Sequence, residues 1–156
     1  MTVDTSKRVL GAIGNTPLVE FTRIVPPGSA QLVAKLESAN PTGSMKDRMA
    51  VALVTRAAAD GRLSPGGTVV EYTAGTTGIS LAFVCAALGY RAHFVFSDAF
   101  SDEKRYTMRA YGADVTDVKS DDKKITEHLI KNMIATSGEI SRQQWPRSLS
   151  TQASAI

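Results

Sequence analysis

The segment 40–48 reads Asn40-Pro41-Thr42-Gly43-Ser44-Met45-Lys46-Asp47-Arg48. It follows a short apolar run, residues 32–36, that is typical of a strand, and it precedes an amphipathic run, residues 49–59, that is typical of a helix. Pro41 and Gly43 break the chain between the two runs. The segment therefore predicts a turn that leads from a strand into a helix.

Lys46 lies in the first turn of the predicted helix if Ser44 is the cap. Ser44 and Asp47 have the spacing of a capping box, with Asp in the place of the usual Glu. The partial positive charge at a helix N-terminus disfavours the ammonium form of a lysine, and a neutral amine is what Schiff-base chemistry requires. This segment alone leaves two interpretations open: a reactive lysine, or a solvated lysine that happens to begin a helix.

A second strand-to-helix turn has the sequence Thr73-Ala74-Gly75-Thr76-Thr77-Gly78. It joins a predicted strand, residues 68–72, to a predicted helix, residues 79–88. Such a loop points backbone N–H groups and hydroxyls at one place by a helix N-terminus, which predicts a site for a carboxylate or a phosphate. The alternative is a glycine turn without a ligand. Because ligands bind at the carboxyl edge of parallel sheets, Lys46 and this loop are expected to face one edge.

The rest of the chain continues the alternation of strands and helices. Strands are predicted over residues 92–96 and 113–118, and helices from Ser101 to about Gly112 and over residues 121–136. With the strand at 32–36, the pattern predicts an α/β fold with an open, mainly parallel four-stranded sheet flanked by helices. Residues 137–156 have few apolar side chains and are expected to form loop or disorder.

Composition excludes several classes of function. The chain has 156 residues, of which 43% are hydrophobic and 21% charged, with a net charge of +3, an ordinary globular balance. Basic residues are spread along the chain, so no nucleic-acid partner is expected. No apolar run reaches the length of about 18 residues that a membrane span needs. The single cysteine, Cys85, and an N-terminus without a signal-peptide pattern predict a cytoplasmic protein. His93 and His128 lack nearby ligand patterns, so no metal site is predicted.

Three blocks of this sequence resemble the cysteine synthase family, whose members are pyridoxal-phosphate enzymes of the tryptophan-synthase-beta fold, known as fold type II. They are residues 13–18 (Ile-Gly-Asn-Thr-Pro-Leu), 40–48 and 73–78. They occur in the family's order and at similar spacing, and the resemblance continues through residues 92–113 and fades near Ser137. It implies the smaller domain of such an enzyme over residues 37–136. Residues 1–36 would then pack on a second, larger domain that is absent from this sequence, and residues 137–156 form a divergent tail.

The resemblance also implies roles for individual residues. Lys46 would form the internal aldimine with the cofactor, pyridoxal 5'-phosphate, and then act as the base at the alpha carbon of a small amino-acid substrate. Thr76 would contact the cofactor. The substrate carboxylate would be bound by Thr73, Ala74, Gly75 and Thr77. The implied reaction is beta-replacement, in which an activated serine loses its leaving group and a sulfide-type nucleophile adds.

Two positions depart from the family pattern. Ala74 stands where the family has Ser, which removes one hydroxyl donor. Thr76 stands where the family has Asn, and a threonine hydroxyl is shorter than an amide. These changes put the tuning of the cofactor and the choice of substrate in question. Backbone N–H groups are still expected to bind the substrate carboxylate.

The sequence after Gly78 lacks the family's Gly-rich loop for the cofactor phosphate, since its only glycines are isolated, at positions 89, 112 and 138. The expectation is therefore a truncated chain that is inactive alone. The alternative class is a non-catalytic fragment or an interaction module that pairs with a full-length relative. The expected protein partner is a second copy of the chain, in a homo-oligomer, or such a relative. A third alternative, a small-anion-binding domain, rests on the loop 73–78 alone.

Overall fold

The computed structural model of the protein describes residues 9–144 and the two residues 149–150. A parallel sheet forms the centre of the fold, and a separate antiparallel hairpin precedes it. The strands are β1 (Leu18–Phe21), β2 (Leu32–Lys35), β3 (Thr68–Tyr72), β4 (Arg91–Ser97), β5 (Asp114–Val118) and β6 (Leu149–Ser150). The helices are α1 (Lys46–Ala59), α2 (Thr76–Leu88), α3 (Asp102–Ala110) and α4 (Glu127–Gln144).

The central sheet has the strand order β5-β4-β3-β6, with all neighbours parallel. Alternate residues of β3 and β4 point to opposite faces, as strand geometry requires. Val69, Phe94 and Phe96 pack with α1, α2 and α3 on one face, whereas Val70 and Val95 pack with α4 on the other. The α/β fold with a mainly parallel sheet flanked by helices is therefore confirmed. None of the described helices has the length and apolar character needed to cross a membrane.

The prediction that residues 32–36 form a strand of the central sheet was wrong. Strand β2 pairs instead with β1, antiparallel, with Leu18 opposite Lys35 and Phe21 opposite Leu32. Most of β2 is exposed, with Leu32 at 47% and Val33 at 48%. A short apolar run predicts a strand but does not specify the sheet that the strand joins. The fourth strand of the central sheet among the described residues is β6, beside β3.

The prediction for residues 137–144 was also wrong, because they continue α4 and do not form a loop. The helix begins at Glu127, six residues later than predicted, after Asp122 and Lys123 adopt positive φ angles of 52° and 56°. A buried stripe at helical spacing holds it against the sheet and consists of Leu129, Met133, Ser137 and Ile140. A stripe this narrow leaves a mostly polar sequence, which is why composition alone suggested disorder. The rest of the predicted tail, residues 145–148 and 151–156, lies outside the described residues.

Candidate functional site

A cavity of about 320 Å³ opens at the carboxyl end of β3, next to α1. Its volume falls at the lower end of the range for small-molecule sites. The wall combines an apolar side from α1 with the end of β3 and the loop that follows it. The lining residues are Met49, Leu53, Glu71, Tyr72, Thr73, Ala74 and Thr77.

Lys46 is the first residue of α1 and lies half-buried on the helix face that carries the cavity wall. Met49 and Leu53 follow it by three and seven residues, a spacing that puts all three on one face of a helix. Within the described residues, the Lys46 ammonium forms no hydrogen bond or ion pair. The amine is therefore uncompensated by protein carboxylates and lies on the side of α1 that borders the cavity.

The turn before Lys46 is built differently from the predicted capping box. Ser44 Oγ accepts the backbone N–H of Lys46 at 3.1 Å, but the Asp47 carboxylate does not return to Ser44. It accepts the backbone N–H of Thr42 at 2.8 Å and the Thr42 hydroxyl at 2.5 Å. Asp47 is fully buried. The predicted capping box was therefore wrong: Met45 and not Ser44 is the cap residue of α1, and Asp47 bonds Thr42.

The first and second family blocks form one polar cluster, which sequence analysis did not foresee. The Glu37 carboxylate accepts two hydrogen bonds from the Arg48 guanidinium, both at 2.9 Å, and one from the Thr16 hydroxyl at 2.7 Å. These bonds, the ones from Arg48 first, lower the pKa of Glu37 from 4.5 to about 2. Gly14 N–H donates to Asn40 Oδ1 at 2.9 Å. The cluster fixes the chain segment that leads into Lys46.

Some hydrogen-bonding groups of the loop 73–78 bond to each other. Thr73 Oγ1 accepts the backbone N–H of Gly75 at 3.0 Å and that of Gly78 at 3.1 Å, and Thr73 is buried. The N–H groups of Thr76 and Thr77, at the start of α2, have no partner among the described residues, as expected for the first turn of a helix. Of the donors predicted to bind an anion, these two N–H groups and the nearby hydroxyls therefore remain available.

Lys104 of α3 covers this loop, and sequence analysis missed it because the two segments are about 30 residues apart. Its Nζ donates to the Ala74 carbonyl at 3.4 Å, and its aliphatic stem lies directly over Gly75. Gly75 has a φ of +132°, a conformation that favours glycine. The loop glycine thus serves both an unusual backbone angle and the close approach of a lysine.

The cysteine and the two histidines occupy positions that indicate structural and not catalytic roles. Cys85 is 1% exposed, and burial raises the pKa of its thiol to about 12, which leaves it a core residue. His93 Nε2 lies 2.8 Å from the Thr116 hydroxyl, and burial lowers the pKa of this imidazole. His128 is exposed on α4 beside Asn132. Over residues 9–144, no three His, Cys, Asp or Glu side chains are grouped closely enough to hold a metal ion.

Comparison with known proteins agrees with this geometry. The family described as pyridoxal-phosphate dependent enzyme matches residues 9–147, well past Ser137, where the resemblance was expected to fade. A cysteine synthase from Staphylococcus aureus is 48% identical over 103 residues, which are 66% of this chain and 33% of that protein. Cysteine synthase B from Pseudomonas syringae pv. syringae is 44% identical over 114 residues, which are 73% of this chain and 68% of that protein.

Solved structures give the same answer. The crystal structure of O-ureido-L-serine synthase superposes with a TM-score of 0.80 at 39% identity, over 89% of this chain and 42% of that one. The crystal structure of an O-acetylserine-dependent cystathionine beta-synthase from Helicobacter pylori superposes with a TM-score of 0.79 at 35% identity, over 92% of this chain and 45% of that one. The chain belongs to the pyridoxal-phosphate-dependent enzyme family and, within it, is cysteine-synthase-like. It spans about a third of the Staphylococcus relative and less than half of these solved chains.

Proposed function

We propose that this chain carries the lysine and the carboxylate-binding loop of a beta-replacement site for a small, serine-derived amino acid. The observation that carries the proposal is the uncompensated ammonium of Lys46 on the face of α1 that also holds Met49 and Leu53. The opposite side of the same cavity is the loop that begins at Thr73. An amine on the helix that forms one wall of the cavity and a set of anion donors in the loop opposite suit a ligand that has both a carbonyl-type group and a carboxylate.

The described residues fit the family's cofactor at one end. Lys46 provides an amine without a competing partner, as covalent attachment of an aldehyde requires. When bound, pyridoxal phosphate supplies an electron sink for chemistry at the alpha carbon of an amino acid. Lys46 is then the group positioned to take up and return a proton there.

Binding of the substrate carboxylate falls to the start of α2. The N–H groups of Thr76 and Thr77 are free in the described part of the chain, and the helix dipole adds a favourable field for an anion. Thr73 acts indirectly, because its hydroxyl holds the backbone of Gly75 and Gly78 in place. Ala74 contributes a methyl group to the cavity wall, so the site has one donor fewer than a serine would provide.

The side of the cavity formed by α1 is apolar. Met49 and Leu53 contribute only hydrocarbon and a thioether, whereas Glu71 and Tyr72 close the end nearest the sheet. This arrangement supports a substrate that is small, since the cavity volume is about 320 Å³.

Reductive trapping tests the proposal directly. The purified chain is mixed with pyridoxal phosphate, reduced with borohydride, digested and examined by mass spectrometry. We expect the label mainly on Lys46, and its loss from that peptide in Lys46→Ala. Lys131→Ala is the matched control, because Lys131 lies on α4 in an ion pair with Glu127. Label distributed over other lysines and unchanged in Lys46→Ala would refute the assignment.

A second candidate function, an interaction module that pairs with a full-length relative, is supported by the apolar exposure of the N-terminal hairpin. Leu18 is 66% exposed and Ile24 69% exposed. Sedimentation of the chain with and without a full-length cysteine synthase tests this candidate. A complex that forms with wild type and is weakened by Leu18→Ser would favour it, and independent sedimentation of the two proteins would exclude it.

A further inference from the structure

Three buried or half-buried side chains connect the two halves of the candidate site. Asp47 directly follows Lys46, and its carboxylate accepts both the N–H and the hydroxyl of Thr42. Thr42 Oγ1 in turn lies 3.2 Å from the Oγ of Ser80 on α2. Asp47 and Ser80 are both 0% exposed. Both ends of the connection are thus buried, and the half-buried Thr42 joins them, so each hydrogen bond has at least one partner away from water.

The direction of the hydrogen bonds follows from counting protons. The single hydroxyl proton of Thr42 is donated to the Asp47 carboxylate, which can only accept. Thr42 Oγ1 is therefore the acceptor in its contact with Ser80, and Ser80 is the donor. The chain of donors runs from Ser80 through Thr42 to Asp47, so each member depends on the next for its orientation.

The two ends of this chain lie next to the groups that the proposed function uses. Asp47 is bonded through the backbone to Lys46. Ser80 follows Thr76 by four residues and Thr77 by three, so it lies one turn along the same side of α2. A shift of either helix relative to the other would stretch the contact between Thr42 and Ser80 and move Lys46 relative to the carboxylate loop.

We propose that Asp47, Thr42 and Ser80 form a positioning bridge that holds Lys46 in register with the N–H groups of Thr76 and Thr77. Through the bridge, binding of a carboxylate at the loop changes the reactivity of Lys46. None of the three residues touches the ligand in this proposal, so each acts through Lys46 or the loop. The inference rests on the proposed function and adds the residues that couple its two parts.

The test measures this coupling with two simple probes. Propionate serves as the carboxylate, and its binding is followed by the amide shifts of Thr76 and Thr77. Pyridoxal phosphate with borohydride serves as the lysine probe, and the rate of Lys46 labelling is measured with and without saturating propionate. In wild type we expect propionate to change that rate about fivefold or more, the low end of ordinary coupling between sites.

Variants separate the bridge from the fold. Thr42→Val removes the hydroxyl at nearly constant volume, and Ser80→Ala removes the donor while leaving the bonds between Thr42 and Asp47 intact. We expect both variants to retain the propionate-induced amide shifts. In both, however, propionate should no longer change the rate at which Lys46 is labelled. Thr42→Ser, which keeps the hydroxyl, should restore this effect. Thr55→Val is the matched control, because the Thr55 hydroxyl bonds only within α1, to the carbonyls of Val51 and Ala52.

The outcomes distinguish the two proposals. Coupling that disappears in Thr42→Val and Ser80→Ala but persists in Thr42→Ser and Thr55→Val supports the bridge. Wild type that labels at Lys46 without any response to propionate, or variants whose response equals that of wild type, overturns the bridge and leaves the proposed function standing. Wild type without label on Lys46 and without shifts at Thr76 and Thr77 overturns the proposed function, and the bridge with it.

Discussion

The stem of Lys104 lies so close to Gly75 that a methyl group on Gly75 would overlap the Cδ atom of Lys104. Gly75 also has a φ of +132°, which L side chains rarely adopt. Two independent constraints, one from backbone sterics and one from packing, therefore act on the residue that leads into α2. The loop 73–78 is consequently held by α3 as well as by its own hydrogen bonds.

Gly75→Ala is expected to destabilise the protein by about 1–3 kcal/mol from backbone strain alone, with a further loss from the overlap with Lys104. Gly89→Ala is the matched control, because Gly89 has a φ of +77° but nothing within 4 Å of its added methyl group. Urea unfolding of both variants measures the difference. Lys104→Ala in the Gly75→Ala background should recover part of the stability, and equal losses in the two glycine variants would contradict a packing role for Lys104.

Thr73→Val removes the acceptor for two buried N–H groups, those of Gly75 and Gly78. A buried donor left without a partner costs about 1–3 kcal/mol, so we expect this variant to unfold at lower urea and to lose the propionate-induced shifts at Thr76 and Thr77. Thr73→Ser keeps the hydroxyl and should retain most of the stability. If Thr73→Ser and Thr73→Val were equally destabilised, the threonine methyl and not the hydroxyl would be the important group.

The stability of the polar cluster around Glu37, which joins the first two family blocks, is expected to depend on pH. The pKa of this carboxyl is lowered from 4.5 to about 2, chiefly by hydrogen bonds from Arg48 and then from Thr16. A carboxyl with a depressed folded-state pKa contributes stability that is present above about pH 4.5 and is lost as the pH falls towards 2. We therefore expect the Gly14 amide, which bonds Asn40 inside the cluster, to lose its native shift over that window.

Glu37→Gln should show the shifted Gly14 amide already at neutral pH, with a flatter acid response. The control is Glu20→Gln, because Glu20 is an exposed residue of β1 that bonds Gln31 and lies outside the cluster. The same acid transition in wild type and in Glu37→Gln would show that another group is responsible.

Local patterns predicted the elements of this fold better than their partners. The strands β3 and β4 and the helix α2 follow from apolar runs near glycines, and Gly89 ends α2 in the left-handed conformation expected of a C-cap. The weaker strand β5 mixes polar and apolar residues after Gly112. The run Leu32–Lys35 has the same local signature as a core strand, yet its partner is β1. Sheet membership is decided by contacts far along the chain, which a run of four residues does not encode.

The candidate site shows the same division. Residue types and spacing predict Lys46 and the loop 73–78 as site residues, because a lysine at a helix start and a glycine-rich turn are local features. The partners of Asp47 and the position of Lys104 were not found, since they depend on how α1, α2 and α3 pack. The site assignments themselves stay predictions until Lys46 is labelled and the loop is titrated.

The last prediction is that this chain alone produces no measurable cysteine from O-acetylserine and sulfide. The described residues supply an amine and a loop proposed to bind a carboxylate, and the cavity is lined by α1 and by the end of β3 with the loop that follows it. Leu18 of the N-terminal hairpin is 66% exposed. Loss of positioning alone can remove about 7 kcal/mol or more of transition-state stabilisation. The assay uses purified chain with excess pyridoxal phosphate, and free cofactor defines the background. Turnover clearly above that background, abolished by Lys46→Ala and kept in Lys131→Ala, would show instead that the residues of this chain suffice for catalysis.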